Sequence, residues 1–495
     1  LLLFKITNRD FLPQAHGRDN LHTKYFRALF DQENLQHPVI KLNGGAEIFF
    51  RQASITPKLV ERGQKCIIEN RRYTEDKYLF HFPITLNVNH KITPRAFRAK
   101  INNLLYTNPN INIIGIDRGE NHLLYISVVN QKGEILDGPR PLDTVNGIDY
   151  LGLLEKVSKD RDRARKNWES IAKIKDLKAG YVGQVVKVIA DLALQYNAIV
   201  VLEDLNTGFK RSRQKIEKQI YQNFELALIN KLNYFVKKEA MPGEKGHFLS
   251  AFQLTEPITS YQDVGKQTGI IFYVPADYTS ITCPQCGFHK SFNFYHKNKT
   301  EDEHLLETMD LRYDNDDECF KLTCNLMALS NNKLKLSSKN IQRWRWGTNK
   351  RELVSYDITK CLAELFSKLQ INYTQERGNL LNLFISQQPT SQDYDALIFY
   401  LQLWQKIRNS SPTSPDYIQC PNCGFHSDNG FRGKEWNGDA NGSYNIARKG
   451  IIILGKIKQF GDNHHDRDQE HIFDDLKWSD LSINTEEWNE YVGRQ

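Results

Sequence analysis

Two near-identical cysteine knuckles, separated by 133 residues, constrain this chain more than any other feature of its sequence. They read Cys283-Pro-Gln-Cys286-Gly and Cys420-Pro-Asn-Cys423-Gly. Each knuckle presents two thiolates on a tight turn, and two such turns complete a tetrahedral site for one structural Zn²⁺. Four ordinary buried cysteines are the alternative, but they do not explain two copies of CPxCGFH. We therefore predict a zinc ribbon split by an insertion that folds by itself, because closing a long loop then costs little entropy.

Two further cysteines lie inside the insertion. Cys319 and Cys324 form a looser Cx₄C pair, which we predict to be core or strand residues rather than ligands. Cysteines grouped in CxxC pairs suit metal binding in a reducing cytoplasm better than disulfide formation.

Three acidic residues stand where predicted elements begin or end. The segment INIIGIDRGE (111–120) is an apolar strand that ends at Asp117, and AIVVLEDLN (198–206) is a second one that ends at Glu203 and Asp204. Neighbouring strand residues point to opposite faces, and we favour Glu203 over Asp204. Asp439 lies at a predicted helix start, with Asn441 or Ser443 as the cap.

An aspartate at a strand end more often caps a turn than binds a metal. Three carboxylates at three element termini are more specific, since together they can hold two Mg²⁺ about 3.5–4 Å apart around a scissile phosphate. The sequence therefore predicts a Mg²⁺ site made of Asp117, Glu203 and Asp439.

The charge distribution favours a polyanionic partner. Residues 462–495 hold ten acidic and three basic residues, so the preceding 461 residues carry 63 basic against 49 acidic, a net +14. A merely basic soluble enzyme is the alternative reading. Candidate nucleic-acid contacts come from charged helical stretches and from a segment at 339–352 that is rich in aromatic and basic residues. In that segment, tryptophans two residues apart could equally form one face of an ordinary strand. The candidates are Arg163, Arg165, Trp168, Lys210, Arg211, Arg213, Trp344 and Trp346.

The order of predicted strands and helices indicates an α/β fold. Residues 1–110 read mostly as strands of a small β-barrel, with Gly44-Gly45 as a hairpin turn. After Asp117, a second strand to Val129 and a third beyond Gly133 form a meander, as at the start of an RNase H-like domain. A helical stretch over 149–196 and an amphipathic helix over 210–238 follow.

The chain as a whole resembles the type V-A CRISPR RNA-guided effector nucleases. IGIDRGENHLLY, VVLEDLNTGFK and DANGSYNIARKG resemble their three split RuvC motifs. KLNGGAEIFFRQASI is similar to the wedge region, KDRDRARKNWESI to the bridge helix, and KIRNS to the arginine segment of the nuclease lobe. The resemblance covers nearly all 495 residues and about the last two-fifths of such an effector.

This resemblance implies roles for individual residues. Asp117, Glu203 and Asp439 match the catalytic metal ligands, Arg408 matches the arginine that assists cleavage, and Trp168 matches the tryptophan that anchors the bridge helix. It also implies a guide RNA, an RNA or DNA target, collateral nucleic-acid substrates, an upstream recognition lobe on the same polypeptide and the cytoplasm of a prokaryote. We expect the chain to be a piece of that longer polypeptide.

The chain departs from typical members in its paired knuckles, which are similar to a zinc-ribbon-bearing branch of the family and to transposon-encoded TnpB nucleases. The sequence alone leaves the activating target open between RNA and double-stranded DNA. Two hypotheses from different classes also stay open, a guide-directed binding module without cleavage and a zinc-ribbon scaffold.

We predict an RNase H-like (RuvC) mixed sheet with flanking helices, preceded by part of a β-barrel wedge and interrupted by a zinc-ribbon insertion. The expected domains are the wedge part (1–110), RuvC motifs I and II with the bridge helix (111–282), the insertion (283–423), and motif III with an acidic tail (424–495). No run of about 18 apolar residues exists, so we expect no membrane span.

Overall fold

A computed structural model gives the fold of the chain in two compact units. One unit comprises Leu1–Thr93 and Tyr234–Gln253, and the other comprises Pro94–Asn233 and Leu254–Gln495. The structure describes residues 41–42, 47–53, 56, 58–62, 65–69, 74–81, 84–85, 92–118, 122–167, 174–204, 215–237, 239–241, 243–247, 250–256, 265–289, 298–324, 334–336, 340–346, 351–405, 407–411, 414–466, 468 and 471–494.

The described part of the first unit consists mainly of short antiparallel strands. They are β1 (Lys41–Leu42), β2 (Glu47–Arg51), β3 (Lys58–Arg62), β4 (Lys65–Glu69), β5 (Lys77–His81) and β6 (Ile84–Thr85). Strand β1 pairs with β6, β2 with β5 and β3 with β4. The described residues of this segment are mainly strands, as predicted. The turn predicted at Gly44-Gly45 lies outside the described residues, and the strands on either side of it, β1 and β2, pair with β6 and β5.

The second unit is built on a five-stranded mixed sheet. Its first elements are α1 (Pro94–Thr107), β7 (Asn112–Asp117), β8 (Tyr125–Val129), β9 (Ile135–Pro141), β10 (Thr144–Val145), β11 (Ile148–Asp149), α2 (Tyr150–Asn167), α3 (Ile174–Gln195), β12 (Ala198–Asp204), α4 (Lys215–Asn233) and β13 (Ile271–Pro275). The strand order is β13-β12-β7-β8-β9, with β13, β12 and β7 parallel and the β7-β8-β9 meander antiparallel.

This arrangement confirms the predicted α/β fold class and the meander after Asp117. The helical stretch predicted over 149–196 contains α2 and α3, with residues 168–173 outside the described part of the chain. Helix α1 was not predicted, since the sequence before residue 110 reads mainly as strands. Its buried positions, including Phe97, Ile101 and Leu105, recur at helical spacing and hold it against the core.

The insertion between the knuckles has its own strands and helices. They are α5 (Lys299–Glu307), β14 (Met309–Asp314), β15 (Cys319–Cys324), β16 (Leu334–Leu336), β17 (Asn340–Trp346), β18 (Arg351–Asp357), α6 (Ile358–Lys368), α7 (Leu380–Ser386), α8 (Ser391–Gln405), β19 (Arg408–Ser411) and β20 (Ser414–Ile418). Strands β14, β15 and β16 form one sheet, and β17-β18 and β19-β20 form two hairpins. Cys319 and Cys324 both lie on β15, as predicted, and Cys319 is buried.

The chain ends in three described helices, α9 (Gly438–Asn463), α10 (Trp478–Leu481) and α11 (Thr485–Gly493). Asn437 caps α9, with its side-chain oxygen accepting the Ala440 N–H at 2.7 Å. The helix start at Asp439 is therefore as predicted, but the predicted caps, Asn441 and Ser443, are wrong. Both residues lie within α9 and are fully buried. The Asn441 amide donates to the Ser280 carbonyl, and the Ser443 hydroxyl forms a hydrogen bond with the Ser127 hydroxyl. None of the described helices is long and apolar enough to cross a bilayer.

Helix α9 packs directly on the backbone of β7. A Cβ added at Gly115 would overlap the Ser443 carbonyl and the Ala447 amide, and one added at Gly450 would overlap Ile113 and Val201. The Ser127 and Ser443 hydroxyls form a buried hydrogen bond of 2.7 Å between β8 and α9. Small residues on both sides thus let a helix and a strand approach closely.

We predict that Gly115→Ala destabilises the protein by about 1–3 kcal/mol, because the added methyl group meets rigid helix backbone rather than a movable side chain. The matched control is Gly455→Ala on α9, where a Cβ meets open space and the lost glycine flexibility should stabilise the helix by about 0.5–1 kcal/mol. Chemical denaturation of both variants measures the difference, and equal stabilities would contradict this packing.

Candidate active site and cysteine cluster

Asp117 and Glu203 lie side by side at the ends of two parallel strands. The β7–β12 register pairs Ile116 with Leu202, so the next residues along the two strands are Asp117 and Glu203. Their exposed fractions are 7% and 9%, which is low for carboxylates. The carboxyl end of the parallel part of the sheet therefore carries two buried acidic groups next to each other.

Asp439 joins them from the first turn of α9. Only 3% of this residue is exposed. One turn further along the helix, Gly442 lies so close to Asp117 that a Cβ there would overlap the Asp117 carboxylate. The same close approach of α9 to β7 that defines the packing thus brings Asp439 to the strand end that carries Asp117.

The donor set of this site fits a hard divalent cation. Carboxylate oxygens are the ligands that Mg²⁺ prefers in proteins. Across the described residues, the four knuckle cysteines are the one group of three or more His, Cys, Asp or Glu whose ligand atoms all lie within 4.8 Å of one another. Three carboxylates at one edge of a sheet can hold two such ions about 3.5–4 Å apart around a phosphate.

Both oxygens of Glu203 have neighbours in the structure. The Thr279 hydroxyl donates to Glu203 Oε1 at 2.7 Å, in a buried environment. The Arg118 guanidinium lies 3.7 Å from Glu203 Oε2. Arg118 directly follows Asp117 in sequence, so the end of β7 supplies both an acidic group and a cation to the site.

A small cleft lies next to Glu203 and contains a further carboxylate. It is lined by Ile116, Arg118, Leu124, Leu202, Glu203, Phe224 and Glu225. Burial raises the pKa of Glu225 to about 7, and the positive charge of Arg118 partly opposes that rise. Helix α4 thus contributes an acidic side chain to the neighbourhood of Glu203.

His122 lies close enough to Asp439 to sense its charge, at the start of the segment that leads into β8. Its Nδ1 lies 2.5 Å from Asp143 Oδ2, and this hydrogen bond is the main cause of a raised His122 pKa, with smaller contributions from the charges of Asp143 and Asp439. The His122 ring also packs edge-on against the Tyr125 ring, with 5.3 Å between the two ring centroids. Burial raises the Tyr125 pKa, while a hydrogen bond to Asn437, the α9 cap, lowers it.

Lys449 of α9 is a buried cation near Glu203. Its ammonium donates to the carbonyl oxygens of Pro275 and Asp277, at 2.5 and 2.7 Å. Burial lowers its pKa to about 8, and the negative charges of Glu203 and Asp277 partly offset this. The lysine therefore ties α9 to the chain that leaves β13.

The four knuckle cysteines form one cluster. Sγ of Cys283 lies 3.7 Å from Sγ of Cys423, and Sγ of Cys286 lies 3.6 Å from Sγ of Cys420. A tetrahedral zinc with Zn–S bonds of about 2.3 Å places its sulfurs about 3.8 Å apart, so the cluster fits Zn²⁺. Hydrogen bonds from Cys283 are the main cause of lowered pKa values at Cys286 and Cys423, whereas burial raises those of Cys283 and Cys420.

The two knuckles share one backbone geometry. The Cys283 amide donates to Phe288 O and the Cys420 amide donates to Phe425 O, each at 2.7 Å. The glycine after each second cysteine has a positive φ, +70° at Gly287 and +74° at Gly424, which explains the glycine of the CPxCG pattern. The prediction that the two CPxCG turns come together is confirmed.

The sequence model of the family described as RuvC nuclease domain matches residues 93–495 of the chain. That match covers most of the sequence, and the mixed sheet with its buried carboxylates agrees with it. The chain belongs to the RuvC nuclease family. Members of this family are nucleases that hydrolyse nucleic acids, and RuvC nucleases use divalent metals, so the carboxylate cluster at the sheet edge is the expected place for the chemistry of this RuvC nuclease.

The other site residues predicted for the RuvC nuclease come from other segments of the sequence than the three carboxylates. Arg408 begins β19, opposite Ile418 in the hairpin that leads into the second knuckle. Arg163 and Arg165 belong to α2, and Trp344 and Trp346 belong to β17. Outside the described residues are Trp168, Lys210, Arg211 and Arg213. The proposed nucleic-acid contacts stay predictions.

Several polar residues of the site were not predicted from the sequence. Thr279 lies between β13 and the first knuckle, and no sequence motif singled out this threonine. Residues 210–238 contain eight basic residues and two acidic ones, of which Glu225 is one. That composition indicates only weakly that Glu225 belongs to a site. Arg118 and His122 are close in sequence to Asp117, but their partners Glu203 and Asp143 are distant along the chain.

We predict that the purified protein holds about one equivalent of zinc and that Cys286→Ser removes most of it, because a Cys₄ site that loses one thiolate binds zinc weakly. Elemental analysis of the desalted protein measures the zinc content. Cys361→Ser is the matched control, since Cys361 lies on α6 and outside the cluster. Equal zinc content in wild type and Cys286→Ser would contradict the assignment.

Proposed function

We propose that this RuvC nuclease is the catalytic part of an RNA-guided CRISPR-effector endonuclease, with two Mg²⁺ held by Asp117, Glu203 and Asp439. The observation that carries the nuclease part is the convergence of the β7 end, the β12 end and the α9 start on three buried carboxylates. The RNA-guided part is supported by the resemblance of the three motifs, the wedge segment and the bridge helix to type V-A effectors.

In this proposal the chain itself binds and orients the reacting groups. When bound, Mg²⁺ supplies Lewis acidity to the scissile phosphate and lowers the pKa of an attacking water. Asp117 and Glu203 present oxygens from a rigid sheet, and Asp439 presents its oxygens from the start of a capped helix, so little reorganisation is needed. Arg408, in the insertion, assists cleavage in the proposed scheme by stabilising negative charge on the phosphate.

The charge of the chain supports a nucleic-acid partner. The net +14 of residues 1–461 favours a guide RNA and its target, with the basic residues of α2 and of the segment before α4 as proposed contacts. We propose domain limits at residues 110, 282 and 423, and a single zinc, held by the four cysteines, that joins the two ends of the insertion. The upstream recognition lobe and collateral substrates belong to the same proposal.

A second candidate is a TnpB-like RNA-guided DNA nuclease. The paired CPxCG knuckles favour it, because typical type V-A effectors lack them at these positions. The same knuckles are similar to those of the zinc-ribbon-bearing effector branch, in which RNA activates broad collateral cleavage. The wedge-like segment before the first motif and the long insertion favour the effector over TnpB.

We predict that Asp117→Asn lowers Mg²⁺-dependent cleavage of labelled nucleic acid by about 10²-fold or more, since an amide is a poor ligand for Mg²⁺ and removes one negative charge. The assay uses the full-length protein with its guide RNA and a matched target. Asp204→Asn is the matched control, because Asp204 neighbours Glu203 on the same strand and lies outside the proposed ligand set. Cleavage by Asp117→Asn at the wild-type rate would sink the proposed site, as would an equal loss in Asp204→Asn.

The nature of the activating target is tested separately. Guide-loaded protein is given matched RNA, single-stranded DNA or double-stranded DNA together with unrelated labelled reporters of RNA and DNA. We expect a matched target to switch on reporter cleavage and an unmatched target to leave the reporters intact. Reporter cleavage that is independent of guide and target would contradict the RNA-guided assignment while leaving the nuclease assignment in place.

A further inference from the structure

Thr279 links the carboxylate of Glu203 to the segment that leads into the first knuckle. The residue follows β13 by four positions and precedes Cys283 by four. Its hydroxyl donates to Glu203 Oε1 at 2.7 Å and lies 2.9 Å from the Ala276 carbonyl. Thr279 is 4% exposed, so this hydrogen bond is shielded from water and holds the carboxylate in one orientation.

Side-chain amides of α9 fix the backbone on either side of this contact. Asn445 Nδ2 donates to the carbonyls of Thr279 and Thr282, at 2.8 and 3.0 Å. Asn441 Nδ2 donates to the carbonyls of Ser280 and Thr282, at 3.1 and 2.8 Å. These two amides lie in the helix that carries Asp439, so one element determines the places of both Asp439 and Thr279.

The residue before Thr279 has an unusual backbone conformation. Tyr278 has a φ of +66°, a value that residues other than glycine, asparagine and aspartate seldom adopt. Such a conformation is strained and persists where the surrounding structure imposes it. The turn at Tyr278 directs the chain so that Thr279 meets Glu203.

We infer that Thr279 is a positioning residue of the nuclease, whose hydroxyl orients Glu203 for divalent metal binding. The inference rests on the proposed function, since it takes Glu203 as a ligand. A carboxylate oxygen has two lone pairs, so Oε1 accepts from Thr279 and keeps a lone pair for the metal. Arg118, 3.7 Å from Oε2, limits rotation of the carboxylate from its other side. Hydrogen-bond partners of this kind set metal affinity and activity by about 10–100-fold.

The test compares Thr279→Val with Thr279→Ser. Valine keeps the shape of the side chain and removes the donor, whereas serine keeps the hydroxyl. We expect Thr279→Val to weaken Mn²⁺ binding, measured by titration calorimetry on the full-length protein, by about 10–100-fold. The Mg²⁺ concentration needed for half-maximal cleavage should rise in step, and Thr279→Ser should stay within a few-fold of wild type on both measures.

Thr255→Val is the matched structural control. Thr255 is also a buried threonine, and its hydroxyl donates to a backbone carbonyl, that of Ile229 at 2.8 Å, rather than to a carboxylate. Its replacement should lower stability without changing Mn²⁺ affinity. Zinc content and thermal melting of every variant show that each one folds.

The outcomes separate this inference from the proposed function. If Asp117→Asn abolishes Mn²⁺ binding while Thr279→Val binds like wild type, the positioning role is overturned and the metal site stands. If Thr279→Ser is as defective as Thr279→Val, the hydroxyl is not the cause and the positioning role is again overturned. If neither Asp117→Asn nor Thr279→Val changes Mn²⁺ binding, the proposed catalytic metal site itself is wrong.

Discussion

The packing of α9 against β7 is the contact on which the candidate site depends. Gly115 on the strand lets the helix backbone approach, and Gly442 on the helix leaves room for the Asp117 carboxylate. Side chains at either position would hold the two elements apart and would move Asp439 away from the strand ends. A protein interior is too densely packed to absorb such a shift without cost. The position of the third carboxylate is therefore set by residues that have no side chains.

The segment between β13 and the first knuckle connects the nuclease core with the cysteine cluster. Within it, Thr279 bonds to Glu203 and Cys283 enters the cluster, and Asn441 and Asn445 of α9 hold the backbone between them. Helix α11 packs against the first knuckle, since a Cβ added at Gly287 would come within 2.8 Å of the Val492 side chain. From the same helix, Trp488 Nε1 donates to Thr282 Oγ1 at 3.3 Å. Hydrogen bonds and close packing thus hold this segment between the carboxylates and the cysteine cluster.

The sequence was most informative where chemistry is tied to local pattern. Apolar strands that end in Asp117 and Glu203, and the repeated CPxCG turns, predicted element ends and a cluster that the structure bears out. It was least informative where partners are distant along the chain. Asn437, rather than Asn441, caps α9, because the helix begins at Gly438. Asn441 lies in its first turn, and its amide donates to the carbonyls of Ser280 and Thr282. No local pattern could have indicated that contact, nor the pairing of β2 with β5 across the intervening β3–β4 hairpin.

The chain leaves the core at Cys283 and returns at Cys423, with all four sulfurs of the two knuckles in one cluster. The cysteine cluster thereby holds the two ends of the insertion together. Because the entropy of closing a loop grows only with the logarithm of its length, doubling the insertion costs about 0.6 kcal/mol. Because the cysteine cluster fixes both ends of the insertion, the insertion can change in size and content while the carboxylates keep their positions.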